Sequence, residues 1–344
     1  MGDHVRVGFL GAGLIATYHS KSLKRSGAAV QRAGVYDPDP QRSAEFAAAS
    51  GSTVMADEDE VLDTCDAIYV CTWTSEHARQ VEKAVARGLA IFCEKPLAFD
   101  LVAAERMATM VREAGTVNQV GLVLRRSPAY TWAKHLIDDP TAGDVMGVVF
   151  RDDQFIPVQG HYGSTWRGDR TLAGSGTLLE HSIHDVDMLR VLVGDVEAVS
   201  AHVTNFHGHD GIEDVATATI RFCGGALGTL ASIWHDNLAR PSLRRVEVFC
   251  ARRHIVIEGD DWYGPVTWTD TNGDEHTLTG EELSAAAESI RDGGENPDGE
   301  FVRAVKAGTP AYPDFADAVE AHRIVQAMYE SATSNGASVE VRRG

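Results

Sequence analysis

Lysine is scarce in this chain, with only six in 344 residues. Lys+Arg total 31 against 50 Asp+Glu, a formal net charge of −19, and no basic run is longer than Arg125-Arg126 or Arg244-Arg245. Such a surface repels a phosphate backbone, so nucleic acid is excluded as an expected partner. Cysteine is also sparse, and the five residues (65, 71, 93, 223, 250) show no CxxC spacing. They read as reduced thiols within apolar runs, which argues against a disulfide framework and for a cytoplasmic protein. No apolar stretch reaches the length of a membrane span. Met1-Gly2-Asp3-His4 leads directly into a strand-like segment, without an apolar signal region. What is present is ordinary for a soluble globular chain, 44% hydrophobic and 24% charged. The length suggests two domains.

Residues 5–123 alternate short apolar runs with helical segments: Val5–Leu10, a helix from Leu14, Gln31–Tyr36, a helix over Gln41–Ala49, and Ala67–Thr72. A helix over Ser75–Arg87 follows, with Ser75 or Thr74 as its cap, then Ala90–Cys93, Leu101–Ala114 capped by Asp100, and Val117–Leu124. Repeated β-then-α units imply a parallel sheet with helices on both faces. Beyond residue 124 the rhythm changes. A helix over Pro128–Ile137, a strand over Val148–Phe155 and a helix over Leu178–Leu192 precede β segments at 196–206, 214–222, 226–236, 244–250 and 253–258. Cys223-Gly224-Gly225 reads as a hairpin turn. Helices near 298–307 and 315–333 end the chain, and the acidic, Gly-rich stretch Arg291–Glu300 reads as an exposed loop. Neighbouring strands imply an antiparallel sheet. The expected architecture is an α/β domain over residues 1–124 and an α+β domain with an open, mostly antiparallel sheet over residues 125–344.

Gly11-Ala12-Gly13-Leu14-Ile15-Ala16 follows the first strand and opens the first helix. Gly11 allows a tight turn, Gly13 lets backbone approach a pyrophosphate, and the small Ala16 lets helix pack on strand. The phosphates then sit at a helix N-terminus, where free N–H groups and the dipole favour anions. Asp37 ends the second strand about 20 residues beyond, where an acid bonds a ribose 2′-hydroxyl. A carboxylate repels a 2′-phosphate, so NAD is expected as cofactor, with NADP as the alternative. The other reading of Asp37 is a cap on the following turn.

Glu94-Lys95-Pro96 closes the apolar run Leu89–Cys93. A charged pair at the end of a buried strand is costly, and Lys95 sits at the carboxyl edge where open α/β sheets keep ligands. Lysine donates to a substrate oxygen, and burial lowers a lysine pKa toward proton-transfer use; the other reading of Lys95 is a surface lysine in a loop. The second cluster spans Gly174 to Asp187. Glu180 and His184, four apart on the expected helix, share one face, so the carboxylate can orient an imidazole that titrates near neutrality. The alternative is a helix N-terminus with acids near its dipole and one satisfied histidine. Glu180, His181, His184 and Asp187 match no HExxH-type spacing, so no metal is expected. The loop His161-Tyr162-Gly163-Ser164-Thr165-Trp166-Arg167 carries groups suited to sugars, since aromatic faces stack on ring C–H groups and His or Arg bond hydroxyls. Trp234-His235, on a later strand, can face the same cleft; the alternative for either set is core or interface packing.

At these residues the chain resembles the Gfo/Idh/MocA oxidoreductases, which include glucose–fructose oxidoreductase and inositol dehydrogenases. The Gly11–Ala16 turn, Cys93-Glu94-Lys95-Pro96, Thr72 to His77 and Gly174 to Asp187 carry the likeness, and Arg125-Arg126-Ser127-Pro128 resembles the segment joining the family's two domains. The resemblance implies a Rossmann domain followed by an α+β domain whose sheet mediates homodimers or homotetramers. It implies hydride transfer between a nicotinamide and a secondary alcohol of a sugar, inositol or related polyol. By position, Lys95 bonds the reacting oxygen, His184 is the acid/base, and Glu180 bonds His184 or a neighbouring hydroxyl. The cofactor set is Gly11, Gly13, Leu14, Ile15, Ala16, Asp37, Thr72, Trp73, His77, Glu94, Lys95 and Gln119. The substrate set is Arg126, His161, Tyr162, Trp166, Arg167, His181 and His235. Glu180 stands where the family usually has Asp, and Trp73 where it usually has Pro. Two other functions fit the same fold: an NAD-dependent glycosidase working by transient oxidation and elimination, and a non-enzymatic dinucleotide sensor.

Overall fold

A computed structural model describes residues 4–160, 163–239, 241–260, 262–291 and 296–342. The chain forms two units, Met1–Leu122 with Asn296–Val319, and Val123–Glu295 with Glu320–Gly344. The expected break at 124/125 therefore falls two residues earlier, and Asn296–Val319 does not belong to the second unit. Burial explains the return. Phe301, Val302 and Val305 complete a core with Val7, Phe9, Tyr69 and Phe92, in which Phe301 meets Tyr69 edge-on at 5.6 Å.

In the first unit the strands β1 (Val5–Leu10), β2 (Val30–Tyr36), β3 (Thr53–Val54), β4 (Ala67–Val70), β5 (Ala90–Cys93) and β6 (Asn118–Val120) form one sheet in the order β3-β2-β1-β4-β5-β6. All its pairings are parallel. The helices are α1 (Leu14–Arg25), α2 (Pro40–Ser50), α3 (Glu58–Thr64), α4 (Thr74–Ala86) and α5 (Leu101–Ala114). Strands β4 and β5 are buried at every position, as a sheet covered on both faces requires. Asp39, Asp57 and Asp100 cap α2, α3 and α5 through their side chains. The cap expected at Ser75 or Thr74 is displaced: α4 starts at Thr74, its N-cap is Trp73, and no side chain bonds there. Strand β3 and helix α3 were not expected; α3 buries only Val61 and Leu62 and opens on three acids, which a search for apolar periodicity passes over.

The second unit holds one nine-stranded sheet, β14-β13-β12-β11-β7-β10-β9-β8-β15. Its strands are β7 (Val145–Phe155), β8 (Val196–Thr204), β9 (Val215–Phe222), β10 (Leu227–His235), β11 (Leu243–Cys250), β12 (His254–Asp260), β13 (Gly264–Thr269), β14 (Glu275–Leu278) and β15 (Val339–Glu340). Every pairing is antiparallel except β7 with β10. The hairpin at Cys223-Gly224-Gly225 forms as expected, with Gly225 at φ +90°. Cys223 there is exposed, whereas Cys65, Cys71, Cys93 and Cys250 are buried thiols. One sheet face packs Val148, Phe150, Leu230, Val246 and Val248 into a core with Leu178, Ile183, Val186 and Leu189. The other face leaves Val149, Leu227 and Phe249 exposed. The expected loop over Arg291–Glu300 is corrected where it is described: Pro297 opens a helix, Pro297–Ala307, capped by Asn296, and Pro297, Asp298 and Gly299 are buried.

Candidate active site

In the first unit the glycine turn is shaped by contact. Gly11 has φ +87°, and a Cβ there would stand 2.5 Å from the Cys71 carbonyl oxygen, so only glycine fits. A Cβ on Gly13 meets nothing within 4 Å, which leaves the space that a pyrophosphate would fill. Helix α1 begins there with no side-chain cap and no acid in its first turn, so its N–H groups and positive dipole end are not neutralised locally. Leu14 and Ile15 are exposed at that turn, and Ala16 is buried against the sheet. Asp37 braces the following turn, as its alternative reading has it. Its Oδ1 accepts the Asp39 N–H at 2.9 Å, bracing the next turn, while Oδ2 accepts the Ala12 N–H at 2.8 Å and holds the carboxylate beside the glycine loop. A carboxylate has lone pairs left over for a ribose hydroxyl. These residues fit a bound dinucleotide.

The Lys95 turn is braced from two sides. His77 is buried, with Nδ1 3.0 Å from the Pro96 carbonyl oxygen and Nε2 3.3 Å from that of Thr72; burial lowers its pKa. It therefore ties the turn after β5 to the turn after β4. The Thr72 hydroxyl lies 2.6 Å from Gln80 Oε1, and Trp73 is exposed. The Lys95–Pro96 bond is cis, and Lys95 is half-buried. Glu94 is buried, with Oε2 accepting the Lys95 N–H at 3.1 Å. Gln119, on β6, donates to the Pro297 carbonyl oxygen at 3.2 Å, and its Oε1 has no partner among the described residues.

In the second unit the expected continuous helix is two pieces, a π-helical turn over Thr177–His181 and an α-helix over Ile183–Val193. Glu180 and His184 lie on different pieces, so the four-residue spacing does not by itself place them on one helical face. Both are buried. The Glu180 carboxylate accepts Arg167 Nε–H at 2.7 Å, and the Arg167 guanidinium stacks over Trp166 at 4.7 Å. The π turn is fixed by groups outside the motif. Glu213 accepts the Gly176 N–H at 2.8 Å, the Leu178 N–H at 2.9 Å and the Tyr329 hydroxyl at 2.8 Å, while burial raises its pKa. Ser232, on β10, lies 2.7 Å from the Thr177 hydroxyl and 2.6 Å from that of Ser182.

His181 is anchored, with Nε2 2.7 Å from Asp152 Oδ2. Arg244 Nε is 2.9 Å from Asp152 and 2.8 Å from Asp185. Burial acts to raise the Asp152 pKa, but Arg244 and His181 outweigh it and hold the group well below the usual carboxylate range. Asp185 is pushed well above it, by burial and then by Asp152. Arg125 donates to Asp187 through Nε at 2.7 Å and Nη2 at 2.6 Å, and Arg126 is half-buried. Strand alternation separates the cleft and core readings of Trp234-His235. Ser232 and Trp234 share the face that meets the π turn, where Trp234 is core with Ile156, Ala173 and Ile212; His235 takes the opposite face, 3.8 Å from Asp153. His161 and Tyr162 lie outside the described residues. Among the described residues no group of three His, Cys, Asp or Glu side chains could hold a metal ion.

Two family models match the chain. One, described as an oxidoreductase family with an NAD-binding Rossmann fold, covers residues 5–122; the GFO/IDH/MocA C-terminal domain covers residues 130–256. The chain belongs to the Gfo/Idh/MocA oxidoreductase family. It is 32% identical over 240 residues to the scyllo-inositol 2-dehydrogenase (NAD(+)) of Bacillus subtilis strain 168, covering 66% of this chain and 67% of that one. It is 28% identical over 319 residues to the myo-inositol 2-dehydrogenase of Thermotoga maritima, covering 89% and 90%. A solved structure of levoglucosan dehydrogenase in complex with NADH shares the fold at a TM-score of 0.88 and 23% identity, covering 99% of this chain and 100% of that one. The chain is thus an NAD-dependent oxidoreductase, and its first unit is the NAD-binding domain. Among its described residues no helix is long and apolar enough to cross a membrane.

Sequence reading of this oxidoreductase passed over His19, Asp152, Glu213, Ser232, Arg244 and Asp298. Each acts through a partner distant in the chain. The one local signal was His19 itself, a lone histidine on the buried side of α1.

Proposed function

We propose that this oxidoreductase is an NAD-dependent dehydrogenase acting on a secondary alcohol, or the matching ketone, of an inositol, a sugar or a related cyclic polyol. The observation that carries this reading is the Lys95 turn: the chain places a half-buried lysine at the carboxyl edge of the NAD-binding sheet and braces it through Glu94 and His77. Relatives named as inositol 2-dehydrogenases and as a 1,5-anhydro-D-fructose reductase supply the substrate class. Bound NAD supplies the hydride acceptor. Lys95 bonds the reacting oxygen, and His184 takes or returns its proton. Glu180, held by Arg167, orients a hydroxyl beside it. Asp37 makes NAD the preferred cofactor over NADP.

The test is a panel of scyllo- and myo-inositol, levoglucosan and common sugars, followed by NADH absorbance, with 1,5-anhydrofructose in the reducing direction. Lys95→Ala and His184→Ala should each lower kcat by roughly 10²–10⁴-fold. Near-wild-type turnover in either variant rejects that residue's role. Glycoside cleavage without NADH accumulation points to the glycosidase. Tight NAD binding with no hydride transfer across the panel points to the sensor.

The same reading extends to assembly. The uncovered face of the nine-stranded sheet, with Val149, Leu227 and Phe249, is taken as the surface of a homodimer or homotetramer. Val149→Lys should then give a smaller particle by sedimentation, and an unchanged particle rejects this face.

A further inference from the structure

Behind the Lys95 turn lies a buried chain of three ionisable side chains that proton transfer does not itself require. His19, on α1, has Nε2 2.8 Å from Glu94 Oε1 and Nδ1 2.7 Å from Asp298 Oδ1. The second Glu94 oxygen accepts the Lys95 N–H at 3.1 Å. Three distant segments therefore converge: α1, the turn after β5, and the first turn of helix Pro297–Ala307. The His19 ring is held against Phe92 at 4.7 Å and Tyr69 at 5.6 Å. Gly121 walls the other side of the carboxylate, since a Cβ there would stand 2.4 Å from Glu94 Oε1. Asp298 is fixed in turn: its N–H donates to Asn296 Oδ1 at 3.1 Å, and the Asn296 side chain pairs with Ser22 through two bonds of 2.9 Å.

Burying two carboxylates and an imidazole carries a large desolvation cost, and apolar side chains would join α1 to the sheet as well or better. What they would not do is fix the direction of a carboxylate. Burial works against a charge on His19, yet Asp298 and Glu94 outweigh it and raise its pKa to about 10. Both ring nitrogens then carry protons at neutral pH, and both bonds form together.

We propose that His19, bridged between Asp298 and Glu94, is a positioning residue for the Lys95 turn: it fixes the Glu94 carboxylate, which holds the Lys95 backbone in its working place. The inference rests on the reading of Lys95 as the group that bonds the reacting oxygen, and its test separates the two.

In the full chain, His19→Phe, His19→Gln and Asp298→Asn are compared with Lys95→Ala and with the double variant His19→Phe/Lys95→Ala. Turnover is measured with scyllo-inositol or the panel compound that the wild type oxidises, NADH affinity by fluorescence titration, and amide exchange of the 93–97 segment in cofactor-free protein by mass spectrometry. His19→Phe should lower kcat on the order of 10²-fold, as displacement of a reacting group does, with NADH affinity within about threefold of wild type. It should speed exchange at the Lys95 amide. His19→Gln, which keeps a donor toward Glu94, should recover part of both effects, and Asp298→Asn should shift both in the same direction as His19→Phe. In the Lys95→Ala background, His19→Phe should change turnover little. Fully additive losses, or lost activity without faster Lys95 exchange, overturn the proposal in favour of a merely structural role. So does unchanged kcat in the His19 variants while Lys95→Ala is inactive. If His19→Phe does not fold, His19→Gln and Asp298→Asn carry the same readouts. Near-wild-type turnover in Lys95→Ala overturns the catalytic reading instead, and Lys95 exchange then decides alone whether His19 holds the turn.

Discussion

Two glycines of the same turn are glycine for different reasons, and the difference is measurable. A Cβ on Gly11 would collide with the Cys71 backbone at a positive φ, whereas one on Gly13 enters open space. Gly11→Ala should therefore lower the melting temperature, with a cost of about 1–3 kcal/mol from backbone strain. Gly13→Val should leave folding intact and, on the proposed placement of the pyrophosphate beside this turn, weaken NADH binding. Equal loss of stability in both, by thermal melts with and without NADH, would contradict this division. Asp37 acts at the same scale. Asp37→Ser removes the charge opposed to a 2′-phosphate and should raise kcat/KM with NADP relative to NAD; comparable efficiency with both cofactors in the wild type would already reject the preference. The sequence exposed these positions because turn, strand end and acid are close neighbours in the chain. It also exposed Lys95, but not what holds it.

The π turn over Thr177–His181 shows what an element-level reading omits. Apolar spacing correctly marked a helix near 178–192, yet spacing cannot distinguish a continuous helix from one that changes pitch at Ser182. That choice is made by Glu213, which receives two backbone N–H groups of the turn, and by the Ser232 hydroxyl beneath it. Gly176 completes the fit, since a Cβ there would stand 1.8 Å from the Glu213 carbonyl oxygen. Glu213→Gln keeps the size but turns one acceptor into a donor facing an N–H. It should lower stability by about 1–3 kcal/mol, read from the urea midpoint. Because the turn carries Glu180 and precedes His184, kcat should fall as well. A variant with wild-type stability would show that the carboxylate does not secure the turn.

At the scale of the whole molecule, the buried Glu94–His19–Asp298 chain couples folding to pH. The folded-state pKa of His19, about 10, lies above the ordinary value of 6.5, so the folded state holds the proton more tightly than the unfolded one. This stabilisation is fully present below the unfolded value and is lost as pH rises through the folded one. The melting-temperature gap between wild type and His19→Phe should therefore narrow from about pH 6 to about pH 10. A gap that widens over that range would reverse the sign and contradict a charged His19. The strongly negative net charge adds self-repulsion that grows in the same direction, but it is common to both proteins and cancels in the comparison.

The sequence by itself determined the alternation of strand and helix to residue 123 apart from β3 and α3, the glycine turn with its acid, the Lys95 turn, and the strand-rich character of the second unit. Each is local: a period of two or of about 3.6 residues, or a motif a few residues long, states its own requirement. Only the tertiary structure decided which distant groups meet. Asp298 sits 279 residues from His19, in a stretch whose composition reads as loop. Its burial follows from Phe301 and Val302 returning to the first core. Likewise, the strand partner of Asp152 is Arg244, 92 residues on, and pairing register rather than composition brings them together. A buried charge is tolerated only where its partner arrives, and that is settled by packing.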